Sequence, residues 1–295
     1  MRRDSTCRLC GGLARLAFRL SHTDVYRCLA SECGLHFAEP QLADSDLQRA
    51  YMELYYPGLR ADGQPTFEPS PVPVLKQLVR GLIGQTGSLG GMRLLDFGCG
   101  TGELCAIAAD LGARPTGIES ADGARRMASA RLGIPIYPDL DALQDCEPTA
   151  RFDLVTLLEV VEHLREPWEV LTRLRQWMRP GGRLIISTPN VRGLRARFQG
   201  RRWPNLVNPT HLFYFTRDSL NGTLMRAGFR RLREWSTPIQ YPKHESLRRL
   251  VQRLLVSLRL HGGLIFVAQN GESPRDTMLP YANSQGSADV DLAGS

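Results

Sequence analysis

Apolar residues in the middle of the chain fall into two alternating patterns. Residues 92–97, 114–118, 134–137, 152–158 and 183–188 are short apolar runs of strand length. Between them, 102–112, 120–131 and 168–178 carry apolar positions at helical spacing, as at 104, 107, 108 and 111. A helix near 217–227, a strand near 229–235, a helix near 245–260 and a last strand at 264–268 continue the series. Strands alternating with helices at this spacing predict an α/β fold, a mostly parallel sheet with helices on both faces. Ahead of it, Asp44-Ser45-Asp46 is expected to cap a helix through about Tyr55. Seven residues of 57–73 are Pro or Gly, which reads as a linker or ordered loop, followed by a helix from Val74 to Ile83. Residues 190–210 read as a long loop, and 271–295 as a disordered polar tail. The expected organisation is 1–40, 41–90, 91–270 and 271–295.

The first strand of the series runs into Leu94-Leu95-Asp96-Phe97-Gly98-Cys99-Gly100-Thr101-Gly102. An acid and then glycines at every second position precede a helix. Glycines there permit positive φ and let a ligand approach the backbone, facing the free N–H groups of the helix start. The spacing is G-x-G-x-G and differs from the dinucleotide fingerprint. Glu119 ends the next strand, where an acid can accept from both hydroxyls of a ribose.

Four further residues stand out at the front. Cys7 and Cys10 form a C-x2-C pair, and Cys28 and Cys33 a C-x4-C pair. Four thiolates in two close pairs suit a tetrahedral zinc ion, with Gly11 and Gly34 easing each turn. The segment between is too short for its own core, so metal binding would supply folding energy. Cys99, Cys105 and Cys146 read as small buried residues.

The glycine turn with its two acids resembles that of the class I S-adenosylmethionine-dependent methyltransferases. The likeness continues through "EVVEHLREP" (159–167), "RPGGRLIISTPN" (179–190) and "HLFYFTRDSLNGTLMRAGF" (211–229). These resemble a subgroup that includes the ubiquinone-biosynthesis O-methyltransferases and many methyltransferases encoded beside sugar or natural-product genes. The resemblance implies a seven-stranded Rossmann-like sheet with its last strand inserted antiparallel, here preceded by a small zinc ribbon. It implies S-adenosylmethionine as cofactor. Asp96 would steady the glycine turn and face the methionine ammonium. Gly98, Gly100 and Gly102 would line methionine and ribose, and Glu119 would hold the ribose hydroxyls. Asp139 and Leu140 would contact adenine, and Leu158 and Glu159 would pass near the methyl group. His163 and His211 are the candidate bases, since an imidazole titrates near neutral pH. Glu162 reads either as an orienting partner of His163 or as a solvated carboxylate.

Charge narrows the choice of acceptor little. The chain carries 37 Lys or Arg against 30 Asp or Glu, a net +7. Residues 191–260 hold 15 of the bases and 3 of the acids, so the remainder is net negative. An anionic or lipid-linked acceptor would meet that basic region. The 246–260 segment is amphipathic and offers a peripheral membrane contact. Phe198 and Trp203 interleave with five arginines in 191–205, a pattern that nucleic-acid readers also use. The leading expectation is methyl transfer to an O or C atom of a small-molecule, saccharide or lipid-linked acceptor. An RNA methyltransferase and an inactive cofactor- or partner-binding protein are the alternatives. With no run of about 18 apolar residues and no apolar leader, the cytoplasm is the expected compartment.

Overall fold

Two sheets organise the chain in the computed structural model, which describes residues 4–56, 89–234 and 262–271. The larger contains β5 (Arg93–Phe97), β6 (Arg114–Ile118), β7 (Ile136–Tyr137), β8 (Phe152–Leu158), β9 (Met178–Pro189), β11 (Phe229–Glu234) and β12 (Gly263–Asn270). Their spatial order is β11-β12-β9-β8-β5-β6-β7. β12 runs antiparallel to both neighbours, and the pairs from β9 to β7 are parallel. The seven strands and the inverted last one match the expectation.

Helices α2 (Glu103–Asp110), α3 (Asp122–Leu132), α4 (Leu140–Cys146) and α5 (Pro167–Gln176) connect the parallel strands. Leu95, Val155 and Leu184 on one face and Leu94, Leu154 and Ile185 on the other are at most 2% exposed, so the central strands are covered on both faces. Parallel strands need such crossovers, and the carboxyl ends of β5 to β9 gather on one edge as a result.

The smaller sheet holds β1 (Asp4–Thr6), β2 (Leu13–Arg19), β3 (Asp24–Cys28) and β4 (His36–Glu39). Its fifth strand is β10 (Phe213–Tyr214), pairing Phe213 with Phe37 and Tyr214 with His36. The ribbon therefore borrows both a strand and a core from the far half of the chain. Phe37, Phe213 and Phe215 are at most 1% exposed and share one apolar cluster with Cys7, Cys33, Leu220 and Leu224. Each buried phenyl contributes about 1.5–3 kcal/mol.

Several expectations need correction. Helix α1 (Asp44–Tyr55) begins after Ala43, and no side chain caps it. Asp44 and Asp46 lie inside its first turn, where they favour the positive end of the dipole. The loop at 190–210 contains α6 (Leu194–Gln199) and α7 (Pro204–Val207), elements too short to show periodicity. Trp203 is 4% exposed and packs with Val25, Leu206 and Tyr214, so it serves the core; Phe198 is 86% exposed. Cys146 is exposed, whereas Cys99 and Cys105 are buried. The 57–73 linker, the Val74–Ile83 helix, the 245–260 helix and the tail beyond 271 lie outside the described residues. Among the described residues no helix is long and apolar enough to cross a membrane.

Candidate active site and metal centre

A cavity of about 430 Å³ opens at the carboxyl edge of the large sheet. One wall is the end of β5 with Gly98, and another is the end of β6 with Glu119, Ser120 and Ala121. Pro138 and Asp139 follow β7, and Glu159, Val160, His163 and Leu164 follow β8. Helix α1 roofs it with Leu47, Gln48, Tyr51 and Met52. Among the described residues four carboxylates line the cavity, Asp44, Glu119, Asp139 and Glu159, and no Lys or Arg does. In a chain of net +7, that local excess of acid favours a cationic ligand.

The glycine turn adopts left-handed backbone at Gly98 (φ +81°), Gly100 (+56°) and Gly102 (+83°). Only Gly98 lines the cavity. A Cβ on Gly98 would sit 2.4 Å from Val160 Cγ2, and one on Gly102 would sit 2.6 Å from Leu132 Cδ1. At Gly100 the nearest atom would be Tyr56 Oη at 3.5 Å. The three glycines thus meet different neighbours: the β8 loop, helix α3 and Tyr56, the residue that follows helix α1.

Glu119 does the steadying expected of Asp96. Its carboxylate accepts from the Gly100 amide at 2.9 Å and from the Ala121 amide at 2.8 Å. It is 1% exposed, and burial raises its carboxyl although both amides oppose the shift. Asp96 is 4% exposed and is not among the lining residues. Thr156 Oγ1 donates to it at 2.6 Å, and burial pushes its carboxyl up to about 7. A cation placed nearby would draw that proton off.

Asp139 is the N-cap of α4 and accepts from the Ala142 amide at 2.8 Å, leaving its second oxygen for a ligand. Leu140 is 4% exposed and belongs to the apolar core. Leu158 is half-buried against the β5–α2 cluster and does not line the cavity. Glu159 does, with φ +57°, the one non-glycine residue at positive φ among those described. Strain of this kind is concentrated at working loops. Its carboxylate accepts from Ser187 Oγ at 2.8 Å.

Glu162, His163 and His211 form a second cluster. Glu162 is 1% exposed, which rules out the solvated reading. Thr188 Oγ1 donates to its Oε2 at 2.9 Å, and its Oε1 has no partner. Burial, reinforced by the charge of Glu159, holds its carboxyl well above the usual range. His163 Nδ1 donates to the Thr210 carbonyl at 2.9 Å, which leaves Nε2 as an acceptor. The His163 and His211 rings meet edge to face at 4.6 Å. Burial lowers His163 to about 4, and burial with the neighbouring His163 lowers His211 to about 3. Both imidazoles are neutral at pH 7. One ligand atom from each of the three residues lies within 4.8 Å of the others. Two imidazoles and a carboxylate are a donor set that could hold a divalent transition ion.

The residues that sequence reasoning missed come from α1 and from 208–210. Tyr51 and Tyr55 flank His163 edge-on at 5.9 and 5.8 Å. Asn208 Nδ2 donates to Tyr55 Oη at 2.8 Å. The run "YMELYY" was their signal, since aromatics at i and i+4 share a helix face.

The four front cysteines converge. Cys7 and Cys33 sulfurs lie 3.7 Å apart, Cys10 and Cys28 sulfurs 3.5 Å, and all four fall within 4.8 Å of one another. A tetrahedron with metal–sulfur bonds of about 2.3 Å has sulfur–sulfur edges of about 3.8 Å, whereas a disulfide needs about 2.05 Å. The site fits zinc and not a pair of disulfides. Hydrogen bonding from Cys33 lowers the Cys7 thiol to about 5, and burial raises Cys28 to about 11. Gly11 (φ +71°) and Gly34 (φ +60°) close the two turns.

A family model described as a methyltransferase domain matches residues 74–234. The ubiquinone biosynthesis O-methyltransferase of Aeromonas salmonicida is 37% identical over 114 residues, 37% of this chain and 48% of that protein. Its counterpart from Cereibacter sphaeroides is 35% identical over 150 residues, 47% of this chain and 60% of that protein. The chain thus spans about half the length of the curated relatives it matches. Among solved structures, magnesium protoporphyrin IX methyltransferase of Synechocystis PCC 6803 with bound SAH is similar in fold. Its TM-score is 0.50 at 19% identity, covering 77% of this chain and 99% of that one. With a family model covering more than half of its residues, and a seven-stranded sheet whose last strand is inserted antiparallel, the chain belongs to the methyltransferase-domain family.

Proposed function

We propose that this protein transfers a methyl group from S-adenosylmethionine to a hydroxyl oxygen of a largely apolar small molecule. The observation that carries the reading is the single cavity that joins the glycine turn and Glu119 to Glu159 and His163, lined among the described residues by four carboxylates and no Lys or Arg. The cofactor supplies a sulfonium methyl with a thioether leaving group. Gly98 gives the methionine portion an approach to bare backbone. Glu119, already anchored by two amides, presents its remaining lone pairs to the ribose hydroxyls. The free oxygen of Asp139 suits an adenine amine. Glu159, beside the β8 end, faces the positive charge.

On the other side, Leu47, Met52, Val160 and Leu164 offer an apolar wall to the acceptor. His163 Nε2 accepts the proton of the acceptor hydroxyl, and its Nδ1–H bond to Thr210 holds that tautomer. The ubiquinone-biosynthesis relatives, O-methyltransferases by name, favour oxygen over carbon. At the front, the four cysteines hold one structural zinc ion per chain.

Calorimetric titration tests the pocket. Binding of S-adenosylmethionine in the micromolar range, about −8 kcal/mol, is expected. Gly100→Arg should abolish it, because the new side chain would start 3.5 Å from Tyr56 Oη, between the turn and α1. Unchanged binding in that variant overturns the reading.

A further inference from the structure

The cysteine site and the acceptor side are linked by a short chain of backbone bonds. Segment 210–216 is buried throughout and lies between the ribbon and the β8 loop. Leu212 bonds to both: its N–H donates to the Glu162 carbonyl at 2.9 Å, and its carbonyl accepts from the Ala38 amide of β4 at 2.9 Å. Two residues earlier, the Thr210 carbonyl receives His163 Nδ1. His211 stands between them. β10 then pairs with β4.

Beyond β10, helix α8 (Arg217–Arg226) reaches both cysteine turns. Thr216, its N-cap, donates from Oγ1 to the Cys33 carbonyl at 3.0 Å. Arg226, at its other end, donates to the Leu9 carbonyl at 2.9 Å, inside the turn between Cys7 and Cys10. That guanidinium also lies 4.3 Å over the Trp168 ring of α5. By contrast, the bonds that shape the cofactor side, Glu119 to Gly100 and Ala121 and Asp96 to Thr156, are made within residues 96–156.

We propose that metal in the four-cysteine site sets the acceptor side of the active site and leaves the cofactor side alone. The ion folds the two turns. The turns fix α8 and β4, and these pin Thr210, His211 and Leu212 against Glu162 and His163. Thr210 and Thr216 are thus positioning residues. The inference rests on the functional reading above only for what His163 does; the brace itself is independent of it.

Hydrogen exchange on the full chain, read by mass spectrometry, tests it, with SAH titration alongside. Removing the metal with a chelator under reducing conditions should speed exchange in peptides covering 208–216 and 159–164. A lost buried hydrogen bond corresponds to about fivefold in local opening. Strands β5, β6 and β8 should keep their protection, and SAH affinity should change by less than about threefold, below the effect of one such bond. Adding zinc back should restore the slow exchange. Thr216→Val, with zinc content measured and retained, should speed exchange at 208–212, and Thr216→Ser should not. Unchanged exchange at 208–212 without metal overturns the proposal, as does loss of protection over the whole chain. If the zinc-loaded protein fails to bind SAH, the functional reading falls while the exchange data still judge the brace.

Discussion

Replacing Gly98 by alanine adds one methyl group, and the structure says what it meets. The residue sits at φ +81°, where an L side chain costs about 1–2 kcal/mol. The new Cβ would lie 2.4 Å from Val160 Cγ2, well inside contact distance. Overpacking of this kind costs about 1–3 kcal/mol. Val160 follows strained Glu159 in the β8 loop, so it has little freedom to withdraw. Together the two effects predict a loss of about 2–5 kcal/mol, a large share of the 5–15 kcal/mol that holds a domain. Urea unfolding measures the loss directly. SAH calorimetry reads whether the chain escapes by moving the turn, in which case affinity falls with stability. Val160→Ala removes the clashing methyls, so the double variant should recover at least about 1 kcal/mol relative to additivity. The φ penalty should remain. The reasoning fails if Gly98→Ala unfolds within about 0.5 kcal/mol of the parent, or if Val160→Ala recovers nothing.

Glu119→Gln keeps the shape of the side chain but can accept from only one of the two amides; SAH affinity should fall by at least about tenfold, roughly 1.4 kcal/mol, in a titration at fixed salt. His163, lowered to about 4, predicts an acid limb of the rate profile near pH 4, and a limb near 6.5 that persists in Asp96→Asn would show that the imidazole is not the buried neutral base described. Asp96, raised to about 7, binds its proton more tightly folded than unfolded, so its contribution to stability is full below about pH 4 and is lost as pH rises through 7. Asp96→Asn should therefore gain stability over the parent at pH 8 in cofactor-free protein, read as a higher urea midpoint, with no gain at pH 4.

The parts of the site that were legible in the sequence are those built from one continuous stretch. Asp96 to Ala121 carries the turn, its helix and the acid that anchors it, and glycine spacing reports a backbone that must be bare. What the sequence misassigned there was the division of labour. Asp96 and Glu119 are both acids at strand ends, and only the fold shows Thr156 beneath one and the Gly100 amide beside the other. The cysteine pairs were legible for a similar reason, because each pair lies on one turn. Nothing in the spacing indicated that β10 completes their sheet, since a two-residue strand has no periodicity to detect.

The acceptor side was less legible because it is assembled from distant segments. Tyr51 and Tyr55 come from α1, Glu159 to His163 from the β8 loop, Thr210 and His211 from the segment before β10. None of these is marked by a local pattern that requires a pocket. Two of them are held by partners more than 45 residues away, Tyr55 by Asn208 and His163 by Thr210, and Thr216 just beyond is held by Cys33. Long-range hydrogen bonds of this kind fix geometry without fixing composition, so the wall they build can change its lining while the bonds persist. A cofactor common to many reactions can be bound by a local motif, whereas an acceptor peculiar to one reaction is met by surfaces that tertiary contacts bring together. In this chain the contacts run through the ribbon, so under the proposal above loss of metal from the four cysteines would reach the histidines before the glycine turn.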